Sequence, residues 1–271
     1  MIKIGFGKKI VSFWYNKRAR FVVSALILTG LLLITQVVSF SWRYFSIFGL
    51  FLTSFLFSIW SLSEGIDSWS VKIITAILPS FFSVSVAMFY FLFPESLAYQ
   101  LFLLAFFGFA IYIIFLTENI FAVASIRTIA LSRAAQTVGF LISLLTVFFC
   151  YNTVFSFRLF GWWNALLVVV ISFPLFFQAL WSVNLEEKID NKILLFSLIF
   201  SLIVGELSLI VSFFPVNVLT GSLFLTCATY ILIGLGNASL LGRLFKQTVK
   251  EYLIVGGLMF LFLLITTSWR G

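Results

Sequence analysis

The chain has 271 residues, of which 62% are apolar, 20% aromatic and only 10% charged, and it carries a formal charge of +8 without any histidine. That much apolar side chain excludes a water-soluble globule of this length, so the chain reads as an integral membrane protein. Apolar runs near 20 residues recur along its length without alternating in period two, which excludes a β-barrel and points to an all-α, polytopic bundle of transmembrane helices.

In chain order, residues 1–20 form a basic, aromatic segment expected at the inner face of the membrane, where anionic lipid attracts each basic residue by about 1 kcal/mol. Nine spans follow: residues 21–40, 44–62, 72–93, 97–117, 136–155, 162–181, 193–214, 218–241 and 252–267. No small-residue cleavage site follows the first of them, so it reads as a retained anchor.

The positions of the 17 basic residues orient these spans. With the N-terminus inside, Lys3, Lys8, Lys9, Lys17, Arg18, Arg20, Lys72, Arg127, Arg133, Lys188, Lys192, Arg243, Lys246 and Lys250 all fall on inner segments. Only Arg43, Arg158 and Arg270 fall outside. This asymmetry predicts an N-in, C-out protein with an odd number of spans.

Those three arginines end three similar tripeptides, Ser41-Trp42-Arg43, Ser156-Phe157-Arg158 and Ser268-Trp269-Arg270, with the arginines 115 and 112 residues apart. Residues 18–45 align over 133–160 without a gap, ending in Phe40-Ser41-Trp42-Arg43 over Phe155-Ser156-Phe157-Arg158. Further on, Glu64-Gly65-Ile66-Asp67 corresponds to Glu187-Lys188-Ile189-Asp190, and Phe93-Pro94 to Phe214-Pro215. The pattern predicts a parallel tandem repeat of four helices, plus one. It divides the chain into a basic N-terminal segment (1–20), a first four-helix unit with an interfacial connection (21–132), a second four-helix unit (133–250), and a ninth helix with an outer C-terminus (251–271).

Residues 118–135 are too polar for a span, and Ser125, Thr128, Ser132 and Gln136 fall at helical spacing, which predicts an interfacial helix there. Cys150 and Cys227 sit inside apolar spans and read as small buried hydrophobes, not as a disulfide or metal pair.

The candidate binding residues are Glu206, Gln178, Gln36, Arg43, Arg158 and Arg270. Glu206 is the formally charged residue placed well inside a span, and an acidic group at a bilayer centre costs about 3 kcal/mol on insertion scales. It is therefore expected to be a proton or cation site, or neutral and hydrogen-bonded to a neighbour such as Gln36 or Gln178. Amides such as Gln36, Gln178 and Asn237 bond across helices in membranes. Arg43, Arg158 and Arg270 either anchor separately at the headgroup boundary or converge on an anionic headgroup or phosphate, which the planar guanidinium fork fits.

No arrangement of residues for metal, nucleophilic or phosphoryl chemistry is present as a motif, and no cofactor is expected. The reading is a non-catalytic, permease-like or lipid-interacting component of a bacterial-type cytoplasmic membrane. The alternatives are a scaffold subunit of a membrane complex, and an enzyme acting on a lipid-linked substrate through Glu64, Asp67, Glu187 or Asp190. Membrane lipids, and a membrane protein partner or second copy, are the expected partners; nucleic acid is not.

Overall fold

Each apolar run folds as one continuous helix, since in a medium without water a helix satisfies its backbone hydrogen bonds within the segment itself. The computed structural model describes residues 17–62, 68–93, 96–126, 129–187 and 189–267. The described helices are α1 (Lys17–Val37), α2 (Arg43–Leu62), α3 (Trp69–Tyr90), α4 (Leu97–Ala124), α5 (Ser132–Ser156), α6 (Gly161–Asn184), α7 (Asn191–Ser212), α8 (Val218–Leu240) and α9 (Lys246–Thr266), with a short 3-10 turn at Phe40–Trp42. Among the described residues there is no strand, and all nine helices are long and apolar enough to cross a membrane. They fit a polytopic membrane protein, each helix coinciding with one expected span.

The clearest departure concerns residues 118–135. In place of a separate interfacial helix, α4 continues through Glu118 to Ala124 and α5 begins at Ser132. The polar residues near 118 do not end the helix, because Thr117 and Glu118 lie on its buried face with Phe121 and Ala122. Ser125 falls just past α4, Ser132 opens α5, and Thr128 lies outside the described residues. Pro94 and Lys188, from the expected turn and acidic loop, lie outside them too.

The chain divides into two compact units, Met1–Val123 and Ala124–Gly271. In the first, α2 packs along α3 through small hydroxyl residues, which let helix backbones approach closely. Ser54 Oγ lies 3.1 Å from both Ser83 Oγ and the Pro79 carbonyl oxygen, while Ser83 Oγ donates to that same carbonyl at 2.7 Å. The far half of the unit is aromatic: Phe82 stacks on Phe107 with centroids 5.8 Å apart, and Phe21 on Phe115 at 6.1 Å.

In the second unit α6 and α7 pack most closely, and α8 lies against α5, α6, α7 and α9. Gly205 of α7 has no room for a side chain, because a Cβ there would run into Val169 of α6. Polar side chains join the helices at several depths. Asn164 Nδ2 donates to Ser212 Oγ at 3.1 Å, and Asn152 Nδ2 donates to Ser222 Oγ at 3.1 Å. The Tyr151 hydroxyl lies 2.8 Å from Ser172 Oγ and 3.1 Å from Thr229 Oγ1, linking α5, α6 and α8. Helix α9 leans mainly on α8, through pairs such as Tyr230 and Tyr252, and Leu263 is the one buried residue of this helix.

Candidate functional site

Four helix ends of the first unit gather around one polar cavity of about 480 Å³. Helix α1 stops at Val37, and the chain makes a single 3-10 turn before Arg43 opens α2. Helix α3 ends at Tyr90, and the next three residues wind on through N–H bonds to the carbonyls of Met88, Phe89 and Tyr90. Helix α4 starts at Leu97, its first turn closed by the Gln100 N–H on the Ser96 carbonyl at 3.0 Å. These local stops bring Gln36, Ser39, Arg43, Ser96 and Gln100 to one cavity wall, with Tyr90, Phe91 and Phe93 among the remaining lining residues.

Arg43 is half-buried, and its guanidinium carbon sits 4.0 Å from the centre of the Phe91 ring. The ring face attracts the cation and helps to hold it at the cavity wall. Beside it, both amide atoms of Gln36 are buried without a hydrogen-bond partner among the described residues. A buried amide left unpaired costs about 1–3 kcal/mol, so this side chain is prepared to accept and donate to something in the cavity. A guanidinium fork, two amides and two serine hydroxyls make a donor-rich site of a volume that suits a small polar group. Outside it, Trp42, Tyr44 and Phe45 are exposed, the usual disposition of aromatic rings at a membrane–water boundary.

Two of the six expected site residues, Gln36 and Arg43, therefore share one site, although seven positions and a helix break separate them. The other four do not join them there. Gln178 is 1% exposed on α6 and lines a separate cavity in the second unit. Arg158 is exposed in the left-handed region at φ 49°, just past the end of α5, and is thus placed differently from its counterpart Arg43, which is the first residue of a helix. Arg270, with the rest of the third tripeptide, lies outside the described residues.

Glu206 stands apart from both cavities. Helix α7 turns Ile193, Ser197, Ser201, Val204, Gly205, Ser208 and Val211 inward, and Glu206 is exposed on the opposite side. It makes no hydrogen bond to Gln36 or Gln178, and neither of the two polar cavities includes it. The rotation of α7 is set by the close approach of Gly205 to α6, and the next residue must then point away.

The buried carboxylate belongs instead to Glu118 of α4, which is 0% exposed one turn beyond Phe115. The polar sequence Thr117-Glu118-Asn119 reads as the end of a span; the apolar Phe121 and Ala122 that follow on the same face are the signal that the helix continues. The Tyr151, Ser172 and Thr229 contact was also not foreseen, since single hydroxyls in three distant spans carry no shared pattern. Of the four loop carboxylates, Asp190 caps α7 by accepting from the Lys192 N–H at 3.0 Å, and Glu187 is exposed. Glu64 and Asp67 lie outside the described residues.

Among the described residues no three or more His, Cys, Asp or Glu side chains gather closely enough to hold a metal ion, and Cys150 and Cys227 are both free thiols. No curated protein and no solved structure matches this chain. One family model does match, over residues 68–266, which takes in α3 through α9. That is well over half of the sequence, and the chain belongs to the family described as protein of unknown function (DUF5656).

Proposed function

We propose that this chain is a multi-pass, lipid-interacting protein of a bacterial-type cytoplasmic membrane, and that its first unit holds the anionic headgroup of a membrane lipid in the Arg43 cavity. The observation that carries this reading is the pairing of a half-buried guanidinium over the Phe91 ring with a Gln36 amide buried without a partner, both facing the same cavity. A phosphodiester oxygen accepts from both, and the acyl chains of its lipid fit the apolar surface that Leu97, Leu101 and Phe102 expose on α4. The inner bias of Lys and Arg supports an N-in orientation, which puts the Arg43 cavity at the outer leaflet. The tandem arrangement of two four-helix units plus one rests on the recurring sequence landmarks.

The test is native mass spectrometry of the purified protein after delipidation and re-addition of phosphatidylglycerol or of a neutral diacylglycerol. The expected result is retention of the anionic lipid alone, with at least tenfold weaker retention in Arg43→Gln. Equal retention of both lipids, or an unchanged Arg43→Gln variant, would refute the headgroup site.

A second reading, a subunit of a membrane complex, is favoured by Glu206. An exposed carboxylate among Leu202, Ile203 and Ile210 is costly against lipid and calls for a polar partner. A permease-like role loses the support Glu206 lent it, since that residue faces away from the polar cavities. Purification in a mild detergent that returned only monomer would count against the complex.

A further inference from the structure

The second unit contains a smaller polar cavity that the headgroup reading does not use. It holds about 80 Å³ where α5, α6 and α8 meet, and Gln136, Ser143, Gln178, Ser182 and Asn237 supply its polar lining. Among the described residues no charged side chain lines it. Gln136 Nε2 is already engaged, donating to the Ser182 carbonyl at 2.7 Å and the Val183 carbonyl at 3.1 Å. The Ser182 hydroxyl is also committed as a donor, to the Ala179 carbonyl at 2.8 Å, so its lone pairs are what it has left to offer. Ser143 is 2% exposed, and its hydroxyl has no hydrogen-bond partner among the described residues; the same holds for Asn237 Oδ1.

Two helix ends contribute to the electrostatics of the place. Helices α6 and α8 both bring their C-terminal turns here, through Gln178 to Val183 and through Asn237 with Leu241. The C-terminal end of a helix carries partial negative charge, and two such ends beside uncommitted oxygens favour a cation. Neutral oxygens without a carboxylate suit a single positive charge, because divalent ions draw on carboxylates to offset theirs. The volume accommodates one such ion with one or two waters, at about 30 Å³ for each water. Helix C-termini and side-chain oxygens are the groups that coordinate monovalent cations in membrane proteins that handle them.

We propose that the cavity between α5, α6 and α8 is a binding site for a monovalent alkali cation, with Ser143 Oγ, Ser182 Oγ and Asn237 Oδ1 among its ligands. Occupancy ties the three helices together near the ends at which α6 and α8 finish. The site is independent of the Arg43 cavity, which lies wholly in the first unit.

The experiment is saturation binding of ²²Na⁺ to the purified protein in detergent, with thermal melting in NaCl, KCl and choline chloride at equal ionic strength. The expected result is saturable binding, and a melting temperature that rises with Na⁺ or K⁺ but not with choline. Asn237→Leu and Ser143→Ala should each weaken the apparent affinity tenfold or more, while Asn237→Asp, which adds a negative charge to the same ligand position, should strengthen it. Absence of saturable binding to the wild-type protein, together with equal melting in all three salts, would show that the cavity holds water only and would overturn the proposal. Cation-dependent melting that is unchanged in both Asn237→Leu and Ser143→Ala would overturn it equally, by placing the ion elsewhere.

Discussion

The Arg43 guanidinium carbon lies 4.0 Å from the centre of the Phe91 ring, so the first residue of α2 is held against the chain just past the end of α3. The contact aims a cation at a polar cavity and at the same time fastens two helix ends together. It predicts energetic coupling between the two side chains. In a double-mutant cycle of Arg43→Gln and Phe91→Leu, read by unfolding in detergent, the coupling should be about 0.5–2 kcal/mol. A value near zero would mean that the stacking is incidental.

Tyr151 predicts a different kind of loss. Its hydroxyl is the shared contact of Ser172 and Thr229, and removing it in Tyr151→Phe leaves the ring's packing in place. Hydrogen bonds between helices in membranes are worth about 0.6 kcal/mol on average and up to about 1.7. Tyr151→Phe should therefore lower unfolding stability by about 1 kcal/mol, whereas Ser172→Ala, which leaves Thr229 to the tyrosine, should cost less.

Gly205 tests the seam between α6 and α7. A methyl group there would meet Val169 Cγ2 and stand 3.4 Å from the Ala165 carbonyl oxygen. Gly205→Ala should cost about 1–3 kcal/mol by overpacking. At Gly257 of α9 nothing lies within 4 Å of the added carbon, so Gly257→Ala should be neutral or slightly stabilising, since alanine favours the helix. Comparable melting temperatures for the two variants would contradict the close approach of α6 and α7.

Arg158 occupies the left-handed region at φ 49°, a conformation that costs a residue with a Cβ about 1 kcal/mol or more. Glycine is the residue suited to this position after a helix. Arg158→Gly should thus raise stability by about 1 kcal/mol, and Arg158→Ala, which removes the charge but keeps the Cβ, should not. Equal gains from both would trace the effect to charge and not to the backbone.

Exposure of Glu206 makes its own prediction. Since no described partner is lost, Glu206→Gln should change the stability of the isolated protein by less than about 0.5 kcal/mol. If the complex reading holds, the same substitution should reduce recovery of higher-order species on size exclusion in mild detergent. A loss of 2 kcal/mol or more in the monomer would instead mean that Glu206 faces inward.

These residues show what was legible in the sequence. The nine described helices were, because about 20 apolar residues in a row must fold as a helix in a medium that offers the backbone no other partner. Which side of each helix faces inward was not. In helix α7 the small residues Ser197, Ser201, Gly205 and Ser208 recur at helical spacing along the inward face, a pattern that hydrophobicity alone passes over and that leaves position 206 facing out. The packing of Gly205 against Val169 decides it. Glu118 is the converse case, a carboxylate that looked like the end of a span and proved to be wholly buried on a helix that continues. Gln36 could be chosen as a polar residue inside an apolar run and Arg43 as the end of a recurring tripeptide; that they share a cavity depends on where α3 and α4 begin and end.

The sequence by itself determined the class of protein and the nine spans that the described helices fill, though not every helix limit, since α4 runs on to Ala124 and α9 starts at Lys246; the spans follow from local hydrophobicity and from hydrogen bonds made within a single segment. Tertiary structure alone decided which polar groups meet, because that depends on the rotation of each helix about its axis. In a bundle this apolar the rotation is set by small residues and by side-chain fit between neighbours distant in sequence.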